Sequence, residues 1–301
     1  MKISEYLKNP YYIILGLNSR GFGNFIPDSI YIRCRFYQKM GYKLNLKAPL
    51  TYNEKLQWLK LHDRKPLYTT LVDKYAVKQY IAKIIGPEYI IPTIGVWDSF
   101  DQIDFQQLPE QFVLKCTHDS GGLVICKNKK FFNKDEARKK IMDSLNNDYY
   151  LQGREWPYKH VPRRIIAEKY MEDEKTKELR DYKFFCFGGS VKALFVGTER
   201  QKPGEDVKFD FFTPQYEHLE IKQGHENAIT IPEKPINFEK MKLLAEKISK
   251  NLLQARIDFY EVNGKVYFGE VTFFHHCGWT PFVPAEWDRV FGEWLDITSV
   301  K

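Results

Sequence analysis

The stretch ARIDFYEVNGKVYFGEVT, residues 255–272, decides the fold of this 301-residue chain. Two runs of β-branched and aromatic residues flank Asn263 and Gly264, and this pattern predicts an antiparallel hairpin with a tight turn. The length of the turn decides which side chains share a face. A two-residue turn would pair position 257 with 270 and position 258 with 269, so Asp258 and Glu270 would lie on opposite faces.

A three-residue loop, Val262 to Gly264 with Gly264 left-handed, instead pairs position 258 with 268 and sets Glu270 diagonally beside Asp258. We predict this second geometry. Four polar side chains then line one face: Arg256, Asp258, Glu270 and Thr272. Two carboxylates and a hydroxyl are oxygen ligands suited to Mg²⁺, which normally arrives with nucleotide phosphates. The alternative is a solvated strand face that carries only a salt bridge.

A second candidate segment is KCTHDSGG, residues 115–122, which lies between two predicted strands. Glycine lets backbone N–H groups approach a phosphate closely, and Lys115 at the strand end supplies a fixed positive charge. The segment matches neither the GxxxxGK[ST] loop nor the GxGxxG turn of other nucleotide sites. An ordinary β-turn is therefore the alternative to a phosphate-binding loop.

Three further segments offer a lysine or backbone groups to a ligand. Asp73 can cap a helix with helically spaced apolar residues, which places Lys74 in the first helical turn. Lys183 lies on a predicted strand and can reach a phosphate from it. The strand IIAEKYM, residues 165–171, has a charged end that can offer backbone groups to a planar base. A solvated lysine and an ordinary strand end are the alternatives.

Charge narrows the class of ligand but does not select one. Lys and Arg number 46 against 39 Asp and Glu, a net charge of +7 that favours anionic partners such as nucleotides, acidic sugars or membrane surfaces. The basic residues are interleaved with acids and no nucleic-acid module is present, so we expect no nucleic-acid partner.

Cysteine usage and hydropathy favour a cytoplasmic protein. Five cysteines without CxxC spacing indicate reduced thiols, and the apolar runs fall short of the ~20 residues that span a bilayer. His275, His276 and Cys277 are adjacent, but neighbouring strand residues point to opposite faces and the distant ligands of a zinc site are missing. Predicted strands and helices are segregated rather than alternating, which indicates the α+β class.

The order of these segments resembles the ATP-grasp superfamily, in which an early lysine, a strand lysine with a glycine loop, an adenine hinge and a carboxylate hairpin follow one another. Five motifs resemble the TupA-like branch, which is associated with bacterial teichuronopeptide and capsular-polysaccharide clusters. They are YNEKLQW (52–58), DKYAV (73–77), EKY (168–170), DYKFF (181–185) and DFY (258–260).

The resemblance implies an α+β ATP-grasp fold, in which two lobes enclose the nucleotide. Its boundaries would be a mainly helical region at 1–70, an N-lobe with the glycine-rich loop at 71–167, and a C-lobe with the metal hairpin at 168–301. A nucleotide-like βαβ domain before Lys74, present in many relatives, is missing here. Thr272 also stands where many of these enzymes have asparagine, a departure that bears on the number of metal ions.

The resemblance also implies roles for individual residues. ATP and Mg²⁺ would be bound by one set: Lys74 and Lys115 on phosphates, His118, Ser120, Gly121 and Gly122 in a loop over them, Glu168, Lys169 and Met171 around adenine with Glu168 accepting from its amino group, and Asp258, Glu270 and Thr272 on the metal. Lys183 and Arg256 would offset charge during catalysis.

The implied reaction is ATP-dependent amide formation through an acylphosphate, joining a carboxylate to an amine. The family association points to an acidic sugar or polysaccharide precursor as one partner and an amino acid or amine as the other. Peripheral association with membrane-bound polysaccharide machinery belongs to the same expectation. Two alternatives stay open: a glycosyltransferase of the same pathway, although the chain has no DxD motif of the usual kind, and a nucleotide-binding protein without turnover.

Overall fold

The structure, a computed structural model, describes residues 10–177, 179–199 and 206–300. The helices are α1 (Pro10–Leu17), α2 (Asp28–Met40), α3 (Tyr52–His62), α4 (Pro66–Val72), α5 (Ala76–Ile85), α6 (Lys134–Asn146), α7 (Tyr149–Gly153), α8 (Phe238–Ser249) and α9 (Glu286–Trp294). The strands are β1 (Thr93–Trp97), β2 (Phe112–Cys116), β3 (Leu123–Cys126), β4 (Ile165–Lys169), β5 (Asp181–Phe187), β6 (Ser190–Thr198), β7 (Lys208–Phe212), β8 (His218–Leu219), β9 (Gln254–Val262) and β10 (Lys265–Thr272). No helix in these ranges is both long and apolar enough to cross a bilayer.

The smaller sheet has the antiparallel order β1-β4-β2-β3. One of its faces is apolar because Phe112 and Leu114 of β2 and Ala167 of β4 pack against Ile141 of α6. Side chains alternate along a strand, so Lys115 and Glu168 lie on the opposite face. This face of the smaller sheet is turned toward the larger sheet.

The larger sheet has the order β10-β9-β5-β6-β7-β8. On one face, Met241 and Ala245 of α8 belong to the same buried core as Phe184 of β5 and Ile257 of β9. The alternate positions, including Lys183 and Arg256, lie on the other face. The two sheets make the fold α+β, as the segregation of predicted strands and helices indicated.

The predicted helical N-terminal region is present over the described residues, and α3 packs against the larger sheet. Thr51 begins α3 with a capping box, in which its hydroxyl accepts from the Glu54 N–H at 3.3 Å and Glu54 bonds back to the Thr51 N–H. Tyr52 contacts Phe185 edge to face and the Phe291 ring at a tilt of 59°. The boundary predicted at 167/168 falls inside β4.

Candidate functional site

The hairpin of β9 and β10 has a two-residue turn, so the predicted three-residue loop is wrong. Asn263 and Gly264 both have positive φ, at 49° and 72°, as a type I′ turn requires, and Val262 pairs with Lys265. The predicted pairing of position 258 with 268 is also wrong, because Phe268 pairs with Phe259.

A bulge at Gly269 nevertheless puts the two carboxylates on one face. The register shifts between Phe268 and Glu270, after which Glu270 lies directly opposite Asp258. A Cβ on Gly269 would lie 3.1 Å from the Asp258 carbonyl oxygen, which explains why the bulge takes a residue without a side chain. The sequence therefore predicts the shared face correctly, but through a three-residue loop instead of the bulge at Gly269.

Arg256 is the centre of the polar face. Its guanidinium donates to both oxygens of Asp258 at 2.8 Å, to Glu270 Oε1 at 3.1 Å and to Thr272 Oγ1 at 3.0 Å. The Lys183 ammonium also bonds to Asp258 Oδ2. Burial alone would raise the pKa of the Asp258 carboxyl, but Arg256 and Lys183 outweigh it and hold that pKa below its usual range. Asp258 is therefore ionised at neutral pH.

Glu270 and Thr272 offer oxygen donors that fit a magnesium ion, whereas both oxygens of the buried Asp258 are engaged by Arg256 and Lys183. Within the described ranges no three His, Cys, Asp or Glu side chains cluster as metal ligands, so protein carboxylates alone would not complete a coordination shell. Mg²⁺ is commonly held by one or two carboxylates together with substrate phosphates and water. The Glu270 side chain is 44% exposed while that of Asp258 is buried, which makes Glu270 the carboxylate that opens to the cleft.

The polar face lines a cavity of about 490 Å³ between the two sheets. Most of the predicted site residues line it: Lys74, Lys115, Ser120, Gly121, Gly122, Lys183, Arg256, Glu270 and Thr272. Lys74 lies in the turn before α5 rather than in its first helical turn, and its N–H donates to the Thr117 carbonyl at 3.1 Å. The fold thus gathers cations from four separate segments around one space.

The loop between β2 and β3 has the backbone of a glycine-dependent turn. Gly121 has a φ of 152°, and a Cβ on Gly122 would collide with the Ser144 side chain. The Gly122 N–H donates to Asp119 Oδ2 at 3.0 Å. His118 does not line the cavity: it is buried, with its Nε2 3.3 Å from the Asn147 carbonyl oxygen.

Glu168 is part of a buried charge cluster that the sequence patterns did not indicate. One of its oxygens bonds to Lys78, and the other lies 2.5 Å from Lys115. Burial opposes both cationic and anionic charge here, yet the two lysines lower the pKa of Glu168 and its carboxylate raises that of Lys115. Lys78 lies four residues after Lys74, a spacing that was the available signal.

A second, smaller cavity of about 50 Å³ includes Glu168 in its lining but neither Lys169 nor Met171, the other two residues expected around adenine. Lys78, Ile91, Glu168 and Phe268 line it, and it shares Lys74, Lys115, Tyr260 and Glu270 with the first. Such a volume holds a few water molecules rather than a purine. Lys169 is exposed on the opposite face of β4, so only its backbone faces the hinge, and Met171 lies in the following loop.

The buried Glu168 cluster predicts a pH-dependent contribution to stability. We expect Glu168→Gln to lower the free energy of unfolding by about 3 kcal/mol at pH 7, because it leaves Lys78 and Lys115 without their counter-ion. The folded pKa of Glu168 lies below its unfolded value, so this stabilisation is present above that unfolded value. It is lost as the pH falls through the folded pKa.

Urea unfolding across a pH series measures this difference. The gap between the native chain and Glu168→Gln should close below about pH 4. Glu88→Gln, at an exposed position, is the matched control and should leave stability unchanged. A gap that widened on acidification would contradict the ion-pair assignment.

The cavity wall around the loop after β10, residues 275–278, has a different set of side chains, and we call it the far end. Its lining includes Tyr149, Glu155, Tyr158, Phe209, His276 and Cys277, none of which the sequence patterns assigned to this site. Burial lowers the pKa of His276 to about 4 and that of His275 well below its usual range, so both rings are uncharged at neutral pH. These aromatic and neutral groups lie beside the cations, since Arg256 Nη1 lies 2.7 Å from His275 Nδ1.

Helix α3 holds the loop at this far end. His276, Cys277 and Gly278 all have positive φ, at 48°, 55° and 66°, a conformation that costs non-glycine residues free energy. Gln57 donates to the carbonyls of Cys277 and Gly278 at 3.0 and 2.6 Å, and Lys60 to that of Cys277 at 2.7 Å. Gln57 of the YNEKLQW motif, together with Lys60, therefore holds this part of the cavity wall in place.

Comparison with known families agrees with this arrangement. The model of the family described as TupA-like ATPgrasp matches residues 54–296, which include every residue discussed at the cavity. The chain belongs to the TupA-like ATP-grasp family. Its fold is the ATP-grasp fold, as the order of the motifs implied. None of the curated proteins compared with the chain is significantly similar to it.

Solved structures similar to this TupA-like protein are ATP-grasp ligases at low identity. They include D-alanine–D-alanine ligase from Helicobacter pylori (16% identity, TM-score 0.38, 73% of this chain and 61% of that one). L-amino acid ligase from Bacillus licheniformis has 13% identity and a TM-score of 0.46, covering 82% and 55%. The ligase PsnB with minimal precursor, Mg and ADP has 7% identity and a TM-score of 0.39, covering 73% and 57%. The matches span less than two thirds of those chains.

Proposed function

We propose that this protein is an ATP-dependent carboxylate–amine ligase, which couples an amino acid or amine to a uronic acid in bacterial surface-polysaccharide biosynthesis. One observation carries the proposal: Asp258 and Glu270 share a face with Arg256, and Arg256, Glu270 and Thr272 of that face line one cavity with Lys74, Lys115 and the glycine loop. Family membership supports ATP as the nucleotide.

The cations that line the cavity suit the triphosphate. Lys74, Lys115, Lys183 and Arg256 line it, and they would offset the charge that spreads over the transferred phosphoryl oxygens. Mg²⁺ held by Asp258, Glu270 and Thr272 would supply further electrostatic stabilisation of those oxygens. Glu168, Lys169 and Met171 would frame adenine, and Ser120 to Gly122 would lie over the phosphates. His118 supports this loop from its buried side.

The bonds of the proposed reaction balance without a protein nucleophile. A substrate carboxylate oxygen attacks the γ-phosphorus, and the bond from that phosphorus to the β,γ-bridging oxygen breaks to release ADP. The nitrogen of an amine then attacks the acyl carbon and displaces phosphate, which leaves an amide.

The far end of the cavity supports a sugar as the acceptor. Phe209, Tyr149 and Tyr158 present ring faces and hydroxyls, and the neutral histidine rings add hydrogen-bonding groups without charge. A uronic acid has a carboxylate that the cavity cations can bind and a hydroxyl-bearing ring that the aromatic and histidine side chains can contact. The acidic sugar would be free or part of a polysaccharide precursor, and the reaction would take place in the cytoplasm.

A substrate screen tests the proposal. Uronic acids and amino acids are combined pairwise with ATP and Mg²⁺, and ADP formation and product mass are measured. We expect ADP above background only when a carboxylate and an amine are present together, with a product mass equal to their sum less one water. Hydroxylamine in place of the amine should trap the acylphosphate as a hydroxamate.

A nucleotide-sugar arm and an ATP-binding titration, added to the screen, separate the two alternatives. Consumption of a nucleotide sugar with no ADP formation from ATP would favour a glycosyltransferase. Saturable ATP binding without turnover for any pair would favour a nucleotide-binding protein. Either outcome would overturn the ligase proposal.

A further inference from the structure

Positive charge is concentrated at one end of the sequence. Residues 1–47 contain eight Lys and Arg but only two Asp and Glu, so they carry six of the seven net positive charges. Residues 48–301 are close to neutral. The N-terminal segment therefore accounts for the basic character of the protein, although the cavity lies elsewhere.

The same segment exposes a cluster of large apolar side chains. Ile13 and Leu17 lie one turn apart on α1, Phe22 and Phe25 lie in the connection to α2, and Ile30 lies in the first turn of α2. Phe25 is 83% exposed and Phe22 53%. The five side chains form what we call the hairpin tip, and clustered exposed apolar side chains mark interaction surfaces on soluble domains.

The α1–α2 hairpin is fixed to the rest of the molecule through Asp28. This carboxylate accepts from Tyr150 Oη at 2.5 Å, lies 2.9 Å from Arg64 Nη2 and 3.4 Å from Arg154 Nη1. Tyr31 Oη also donates to the Gln152 carbonyl at 2.9 Å. The hairpin therefore has a defined orientation, beside the α7 segment that carries cavity residue Tyr149.

Those contacts leave the hairpin surface with an excess of cations. Asp28 is the single acidic residue between positions 10 and 47, and two arginines outside the hairpin already pair with it. Arg33 and Lys39 on α2, and Lys43 and Lys47 in the segment that follows it, are exposed. A protein interface tends to deplete lysine, whereas exposed apolar side chains on a basic segment suit an anionic lipid surface.

We propose that the α1–α2 hairpin docks the protein on an anionic lipid bilayer. Phe22 and Phe25 enter the boundary between headgroups and acyl chains, and the basic residues contact anionic headgroups. Because the hairpin contacts the α7 segment, docking brings the cavity close to the bilayer. This inference rests on the hairpin alone and holds whether or not the ligase proposal is correct.

Vesicle flotation of the full chain tests the docking. We expect binding to vesicles that contain phosphatidylglycerol, weak binding to phosphatidylcholine alone, and a fall in binding as ionic strength rises. The double variant Phe22→Ser/Phe25→Ser should lower the partition coefficient at least about tenfold. Ile229→Ser/Ile236→Ser is the matched control, since those side chains are 103% and 92% exposed outside the hairpin, and it should bind normally.

Three results would overturn the proposal. One is equal binding, or none, to the two kinds of vesicle. Another is equal loss of binding in the hairpin and control variants. The third is a dimer by light scattering that Phe22→Ser/Phe25→Ser converts to monomer without changing vesicle binding, which would assign the tip to a second copy of the chain.

Discussion

Glu270→Gln is expected to lower the rate of ADP formation at least about 100-fold, which corresponds to several kcal/mol of lost transition-state stabilisation. The substitution removes a negative charge at the mouth of the polar face and keeps the side-chain shape. Because Glu270 is 44% exposed and makes a single bond to Arg256, the fold should be retained. Asp258→Asn should have an effect at least as large, but it also leaves Arg256 and Lys183 short of a buried counter-ion.

The matched control for Glu270→Gln is Glu261→Gln on the same hairpin. Glu261 lies on the opposite side of β9 and accepts from Asn237 at 2.7 Å, so its loss should leave the rate within about twofold. The assay is ADP release with the substrate pair found in the screen, and circular dichroism checks the fold. If Glu270→Gln or Asp258→Asn turned over ATP at a near-native rate, the metal assignment would be wrong.

Gly292→Ala is expected to lower the free energy of unfolding by about 3 kcal/mol. Gly292 is buried in α9 where that helix crosses the start of α3, and a Cβ there would lie 2.9 Å from the Tyr52 nitrogen and closer still to the Leu50 carbonyl oxygen. Neither backbone group can move without disturbing the Thr51 cap. Since α3 also carries Gln57, we expect the loop at the far end of the cavity to loosen.

Gly264→Ala separates crowding from backbone strain. Gly264 has a φ of 72° but nothing within 4 Å of a built Cβ, so alanine there meets strain without a clash and should cost about 1 kcal/mol. Thermal and urea unfolding of both variants give the comparison. A cost for Gly292→Ala no greater than that for Gly264→Ala would contradict the close packing of α9 on α3.

Much of this architecture follows from local sequence. The strand that carries Lys183 and the helix that follows Asp73 each depend on near neighbours in the chain, so their patterns predict them. The shared face of Asp258 and Glu270 was predicted for a similar reason. The predicted cause was a three-residue loop at the turn. The actual cause is a bulge at Gly269, which only the register of β9 against β10 reveals.

Other features of the site depend on contacts across the chain, which periodicity does not reveal. Lys78 and Lys115 are brought to Glu168 by the pairing of β2 with β4 and the docking of α5. His118 looked like a loop residue beside two glycines, yet it is buried against Asn147. In the sequence, Gln57 and Lys60 resemble ordinary helix-surface residues. In the structure, the loop that follows β10 covers both of them.

The central claim is that magnesium and the nucleotide phosphates meet at the β9–β10 hairpin. A crystal structure with AMP-PNP and Mn²⁺ in place of Mg²⁺ tests it most directly, because anomalous scattering locates the metal. We expect a manganese peak bonded to Glu270 and Asp258, with the triphosphate between that peak and Lys115. A nucleotide bound away from this cavity, or a manganese peak that touches neither carboxylate, would contradict it.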